Sequence, residues 1–241
     1  MIAAALLAFR EGLEAALILG IVLGVLRRVG RSDQVRMVWL GAGLAALASL
    51  VAGLGLYALG VSLEGRAEEV FEGVAMLLAA GVLTWMIFWM QRQGRANQTD
   101  LEQDMHQAAT GGGRWAIFSL AFIAVFREGI ELALFLTAAA FTTTAAATVA
   151  GGLVGLGAAV VAGWLLFATT SRLNVHAFFR VTSLLLIFFA AGLVAHGVHE
   201  LNEAGLIPAV IEHVWDTNPF LDENSAVGQT LKALLGYNGN P

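Results

Sequence analysis

The most informative segment of the sequence is Phe9-Arg-Glu-Gly-Leu-Glu-Ala-Ala-Leu-Ile-Leu19, because it places three charged residues inside a long apolar segment. A near copy begins 117 residues later, as Phe126-Arg-Glu-Gly-Ile-Glu-Leu-Ala-Leu-Phe-Leu136, and eight of its eleven positions are identical. On a helix, residues three and four apart are neighbours on one face. Each copy therefore presents two glutamates and one arginine on one broad helix face.

The rest of the chain is too apolar for a water-soluble protein. Of 241 residues, 58% are hydrophobic and 13% charged, against about 45–50% and about 25% in ordinary globular chains. Stretches of about 20 apolar residues that do not alternate with polar ones predict membrane-spanning helices, not barrel strands. We predict an all-α polytopic membrane protein with spans at about 3–26, 37–60, 70–90, 115–141, 147–170 and 178–198.

Charge and composition exclude several functions. The net charge of −5 argues against nucleic acid as a partner, since that would need a basic face. Without cysteine, the chain has no disulfides and no thiolate metal sites. No phosphate-binding glycine loop occurs, which argues against ATP-driven transport by this chain alone. We expect no organic cofactor.

The repeated motif divides the chain into two halves. Weaker echoes link residues 51–58 with 161–168, and residues 79–81 with 190–192. Because each half has three spans, the second half should be inverted in the membrane, with the substrate site between the halves. We predict one transmembrane domain, 1–241, made of a first repeat 1–90, a cytoplasmic linker 91–114, a second repeat 115–198, and an external acidic segment with a C-terminal tail 199–241.

The connections between the spans predict the orientation. Basic connections, the first of which holds Arg27, Arg28, Arg31 and Arg36, alternate with acidic or neutral ones. Since cytoplasmic loops are enriched in Lys and Arg, we expect the N-terminus outside the cytoplasmic membrane. Two interpretations remain for the apolar residues 226–237: an interfacial helix, or the approach to a truncated seventh span.

Both motifs lie near the middle of their spans, where a charged side chain costs about 3 kcal/mol. Their charged groups must therefore face each other, water or a cation. We expect Gly12 and Gly129 to let the two motif helices approach closely. At the inner end of the third span, Trp85 and Trp89 are interpreted as interfacial anchors.

The carboxylates outnumber the guanidinium groups. Four glutamates (Glu11, Glu14, Glu128 and Glu131) face two charge-balancing arginines (Arg10 and Arg127). Buried charge is normally neutralised, so the surplus predicts a metal cation. Oxygen ligands suit hard cations such as Fe(III), Mn(II), Mg(II) or Ca(II). The alternative is a set of structural ion pairs.

Two further groups lie at the external ends of the spans. Glu68, Glu69 and Glu72 lie at the start of the third span, and His196, His199, Glu200 and Glu203 lie at the end of the sixth. If the sixth helix continues, the second group forms one stripe that suits metal capture. The alternatives are a solvated acidic helix start, favoured by the helix dipole, and a polar helix end.

At the paired Arg-Glu-Gly-Leu/Ile-Glu motifs, residues 10–14 and 127–131, the sequence closely resembles the high-affinity iron permeases, which include fungal oxidase-coupled permeases and bacterial relatives. Residues 68–73 and 199–205 resemble the family's two acidic elements. The resemblance covers nearly the whole chain. The family usually has seven spans, whereas this chain stops at Pro241, where a last span would follow.

The resemblance implies import of iron, as Fe(III), across the cytoplasmic membrane, with iron as the transported substrate. It also implies an external oxidase or iron-binding partner that hands the ion over. External carboxylates and His199 would gather the ion, Glu72 would relay it, and the midplane glutamates would bind it. Two alternatives stay open: a transporter of another hard cation such as Mn(II), and a membrane oxidase with a carboxylate-bound iron centre.

Overall fold

The computed structural model describes residues 1–93, 113–168 and 175–208, with isolated positions at 217, 219–220, 225, 227–228, 231 and 237. Within these ranges the chain forms six long helices and no strand. The helices are α1 (Ile2–Arg28), α2 (Val35–Ser62), α3 (Arg66–Gln93), α4 (Gly113–Thr142), α5 (Ala145–Ala168) and α6 (Val175–Glu203). The all-α fold class is confirmed. Most of the predicted linker and of the C-terminal tail lies outside the described residues.

Short turns with suitable residues join α1 to α2, α2 to α3 and α4 to α5. After α1, Gly30 takes a positive φ of 76°, which glycine adopts without steric cost, and a 3₁₀ turn over Ser32–Gln34 leads into α2. Gly65, with φ of 59°, makes the turn between α2 and α3. The Thr144 hydroxyl accepts a hydrogen bond from the Ala147 backbone N–H at 3.3 Å, as an N-cap residue does.

Four helices, α2, α3, α5 and α6, are long and apolar enough to cross a membrane. Helices α1 and α4 have 27 and 30 residues, or roughly 40 Å or more at about 1.5 Å per residue. Both helices are continuous, but the three charged residues of each motif interrupt the apolar sequence near the middle of the helix. Large side chains such as Leu47, Leu50 and Leu54 are more than half exposed, which suits contact with lipid.

Each helix of the first three packs mainly on a helix of the last three: α1 on α5, α2 on α4, and α3 on α6, while α1 also crosses α4. The starts of α1 and α5 meet at Met1 and Gly151, and the start of α3 meets the end of α6 at Gly73 and Leu201. The six helices therefore alternate in direction along the chain, as successive membrane spans do.

Close contacts at small residues occur in corresponding pairs. A Cβ atom built on Gly12 of α1 would lie 2.8 Å from the Cβ of Ala159 in α5. A Cβ built on Gly129 of α4 would lie 2.7 Å from the Cβ of Ser49 in α2. The glycines are 117 residues apart and their partners 110 residues apart. The expectation that these glycines line the contact between α1 and α4 was wrong, because Gly12 lies against α5 and Gly129 lies against α2.

A second pair of contacts repeats this correspondence. A Cβ on Gly163 would lie 2.9 Å from the Cβ of Ala16, and a Cβ on Gly53 would lie 3.1 Å from the Cβ of Ala133. The same shifts, 117 residues for α1 and α4 and 110 residues for α2 and α5, convert one contact into the other. Exchange of contacts between two halves is the property of a two-fold, isologous interface.

Burial shows which residues of α3 and α6 correspond. Four buried residues of α3 have buried equivalents 110 residues later in α6: Met76 with Leu186, Ala79 with Phe189, Ala80 with Ala190, and Leu83 with Leu193. The sequence echo between residues 79–81 and 190–192 implies a shift of 111, which is wrong by one residue. A shift of one position turns a helix by about 100° and would move the buried face outward.

The bundle has two chemically different ends. We call one the acidic end, where α1, α3 and α5 begin and α2, α4 and α6 end; it carries Glu64, Glu68, Glu69, Glu200 and Glu203. The opposite end, the basic end, carries Arg27, Arg28, Arg31, Arg36 and Arg114. The acidic groups predicted in two separate segments thus share one end of the bundle.

Candidate metal-binding site

Three of the four predicted midplane carboxylates meet where α1 crosses α4. Oxygen atoms of Glu11, Glu128 and Glu131 all lie within 4.8 Å of one another, and all three side chains are buried. In the described part of the chain this is the only group of three or more potential metal ligands that converges in this way. Glu14, the fourth predicted residue, lies outside the group.

The arginine of the first motif is buried with its two glutamates. Arg10 has none of its side chain exposed; its Nη1 lies 3.5 Å from Glu11 Oε1 and its Nε lies 3.4 Å from Glu14 Oε1. The pair with Glu14 follows from the four-residue spacing on one helix face. Arg10 is therefore paired with both glutamates of its own motif.

The arginine of the second motif has a different environment. Arg127 Nε donates a hydrogen bond to Glu131 Oε1 at 3.2 Å and lies 4.0 Å from Glu128 Oε1. Its guanidinium carbon lies 4.9 Å from the ring centre of Trp89, which is within the range of a cation–π contact. The sequence interpretation of Trp89 as an interfacial anchor missed this contact, since helix pairing alone brings α3 beside α4.

The carboxylate group is short of partners. Both carboxylate oxygens of Glu11, together with Oε2 of Glu128 and Oε2 of Glu131, are buried without a hydrogen bond in the described structure. Buried oxygens normally have at least one partner, and an ionised carboxylate can only accept. These oxygens are therefore available to bind a cation, and a ligand set made only of oxygen atoms suits a hard cation.

The residues predicted to form a stripe at the end of the sixth span lie on one continuous helix, α6, at the acidic end. Helix α6 continues to Glu203, so His196, His199 and Glu203 lie at spacings of three and four. His199 Nε2 lies 3.3 Å from Glu203 Oε1. The His196 ring nitrogen Nδ1 is hydrogen-bonded to the Gly192 carbonyl oxygen at 3.0 Å.

Close packing of α3 on α6 brings the two predicted external groups together. A Cβ on Gly73 would lie 2.9 Å from the carbonyl oxygen of Gly197, so the helix backbones nearly touch. As a result Glu72 interacts electrostatically with Glu68 and with Glu200, and Glu200 does so with Glu69. These carboxylates form one acidic surface, but they do not converge on a single point as the midplane group does.

Fold and site together define a polytopic helical membrane protein with a buried carboxylate group at the crossing of two charged helices. The sequence profile of the iron permease FTR1 family matches residues 1–241. The chain is 38% identical over 240 residues to "Ferrous iron permease EfeU" of Escherichia coli O157:H7, covering 98% of this chain and 86% of that protein. It is 33% identical over 238 residues to the protein of the same name from Yersinia pestis, with coverages of 98% and 84%. No solved structure matches the chain.

The chain therefore belongs to the iron permease FTR1 family. It is an integral membrane protein and a transporter, and not an enzyme. The alternative of a membrane oxidase is set aside on this ground. The family resemblance deduced from the paired motifs is confirmed.

Proposed function

We propose that the protein imports iron across the cytoplasmic membrane and that Glu11, Glu128 and Glu131 bind the ion in transit. The single observation that carries this proposal is the buried convergence of three carboxylates, four of whose six oxygens lack a hydrogen-bond partner. Four motif glutamates against two arginines leave two negative charges if all are ionised, and a cation would neutralise them. Family membership supports iron as that cation.

We propose an orientation with the acidic end outside and the basic end in the cytoplasm. The support is the cluster of arginines between α1 and α2, since positively charged loops stay inside. The N-terminus is then external. The acidic surface of Glu68, Glu69, Glu72, Glu200 and Glu203, with His199, would raise the local concentration of cations at the entrance. Glu72, nearest the bundle interior on α3, would relay the ion inward.

We propose Fe(III) as the transported form, because a group made only of carboxylate oxygens favours the harder ion. Free Fe(III) hydrolyses at neutral pH, so an external oxidase or iron-binding partner would have to deliver it. The relatives are named ferrous permeases, and this makes Fe(II) the competing form. Uptake of radioactive iron into proteoliposomes, with and without a reductant and a ferrous chelator outside, separates the two. Competition by Mn(II) in the same assay tests the remaining alternative of another hard cation.

The test of the site is the variant Glu131→Gln, which keeps the size of the side chain and removes its charge. We expect iron uptake to fall by at least about tenfold, as loss of supporting groups around metal sites alone costs about 10–100-fold. The control is Glu64→Gln, an exposed carboxylate at the acidic end that is no member of the proposed site. Uptake by Glu131→Gln at the rate of the control would contradict the proposal.

A further inference from the structure

Equivalent charged residues of the two motif copies differ in the exposed fraction of their side chains. The side chain of Arg127 is 43% exposed and that of its equivalent Arg10 is 0% exposed. Glu14 is 18% exposed and its equivalent Glu131 is 9% exposed. Glu11 and Glu128, at the crossing itself, are both almost fully buried.

The helix directions show that the more exposed residue of each pair lies on the same side of the crossing. Because α1 runs from the acidic to the basic end and α4 runs the opposite way, Arg127 and Glu14 lie on the basic side of the crossing. Arg10 and Glu131 lie on its acidic side. Every charged residue on the basic side is therefore more exposed than its equivalent on the acidic side.

One contact distinguishes the basic side of the crossing. Trp89, near the end of α3, stacks on Trp85 with ring centres 6.2 Å apart and covers the Arg127 guanidinium at 4.9 Å. The residue that corresponds to Trp89 after the shift of 110 is His199, which pairs with Glu203 instead. At equivalent positions of the two halves, Trp89 therefore contacts Arg127 on the basic side, and His199 pairs with Glu203 on the acidic side.

We propose that Trp89 is a positioning residue: by holding Arg127 at the basic edge of the carboxylate group, it stabilises a conformation open to the basic end. The second conformation, reached when the two halves exchange their arrangements, is open to the acidic end, with Arg127 buried and Arg10 exposed. A ligand shifts such an equilibrium only through different affinity for the two states. The alternation rests on the proposed transport function, since it supplies the step between entry and release.

The absence of cysteine from the sequence permits a direct test. Single cysteines replace Ala124 and Leu7, which correspond under the shift of 117 and each precede their arginine by three residues. Ala124 is partly exposed, whereas Leu7 is fully buried. In lipid nanodiscs, a hydrophilic maleimide should label A124C faster than L7C. Equal rates, or faster labelling of L7C, would overturn the proposal without any further variant.

Trp89→Leu is then added to both reporters, with Trp89→Tyr as the matched control that keeps an aromatic face. We expect Trp89→Leu to slow labelling of A124C and to accelerate labelling of L7C, each by roughly two- to thirty-fold, the range that a cation–π contact supports. Trp89→Tyr should stay near the rates of the unmodified background. Rates that are unchanged, or that rise together as in a loosened bundle, would contradict a positioning role.

Labelling needs no iron, so this test is independent of the uptake assay. If Glu131→Gln transports normally while labelling behaves as expected, the binding site is wrong and the alternation stands. If uptake is lost in Glu131→Gln but labelling does not respond to Trp89→Leu, the site stands and the role of Trp89 falls.

Discussion

The motif in α1 and the motif in α4 share eight of eleven residues, but they occupy different environments. Arg10 is sealed between its two glutamates, while Arg127 is nearly half exposed and covered by Trp89. The motifs cannot cause this difference, since their charged residues are the same. The neighbouring helices differ, because α3 places the indole ring of Trp89 beside Arg127, whereas the equivalent position in α6 is His199, which pairs with Glu203.

A symmetric frame can act in one direction if its two halves differ outside the shared contacts. Equivalent contacts between α1 and α5 and between α2 and α4 build the two halves alike. The third helices then differ at their far ends, with carboxylates and histidine at the acidic end and tryptophans at the basic end. In the proposed transport cycle, capture and release would therefore meet different chemistry on the same scaffold.

Removal of a motif arginine should have the largest effect on stability, and the two arginines should differ. Arg10→Leu should destabilise the protein by about 3–5 kcal/mol, because it leaves buried carboxylates without their compensating charge. Arg127→Leu should cost less, since its side chain is partly exposed. Unfolding in denaturing detergent, followed by circular dichroism, measures both. The double variant Arg10→Leu/Glu14→Gln should recover part of the loss, and equal losses for the two arginines would contradict the structure.

A medium effect tests the equivalence of the helix contacts. Gly129→Ala should cost about 1–3 kcal/mol, the usual range for overpacking, because its Cβ would lie 2.7 Å from the Cβ of Ser49. Adding Ser49→Gly should relieve the clash.

The equivalent pair, Gly12→Ala with Ala159→Gly, should behave in the same way. Gly24→Ala is the control, since no atom outside its own helix backbone lies within 4 Å of that Cβ. If the two pairs respond oppositely in the same unfolding measurement, the correspondence between the halves is wrong.

The smallest effect concerns the acidic end. His199→Ala should change stability by no more than about 1 kcal/mol, because an exposed ion pair contributes about that or less and both partners are well exposed. Iron uptake should fall severalfold at low iron and recover at high iron, as expected of a residue that gathers ions. A loss that persists at saturating iron would move His199 from the entrance into the transport step itself.

The sequence predicts the helices and the motifs well, because both depend on local patterns. Six apolar stretches correspond to six helices within a few residues, and charges in mid-helix require a buried partner. Helix partners depend on packing over long separations, which local patterns do not contain. For this reason the contact of Gly12 with Ala159 and that of Trp89 with Arg127 could not be predicted.

The site was predictable in composition and less so in geometry. Spacing along one helix places Glu11 and Glu14 on one face, and it treats them as equal ligands. The structure places Glu14 beside Arg10 and outside the carboxylate group. Likewise, Glu72 lies near Glu200 because α3 and α6 approach closely at Gly73. The two acidic segments are far apart in the sequence, so this proximity could not be predicted from them.

The pairing of α1 with α5 and of α2 with α4 has a consequence for how the protein is made. Every helix of the first half has its main partner in the second half, so the first half has no complete packing of its own. During synthesis, α1 to α3 enter the membrane before their partners exist, with the charged motif of α1 still lacking α4. The bundle can assemble only after α5 and α6 have been inserted, so its two halves mature together and not one after the other.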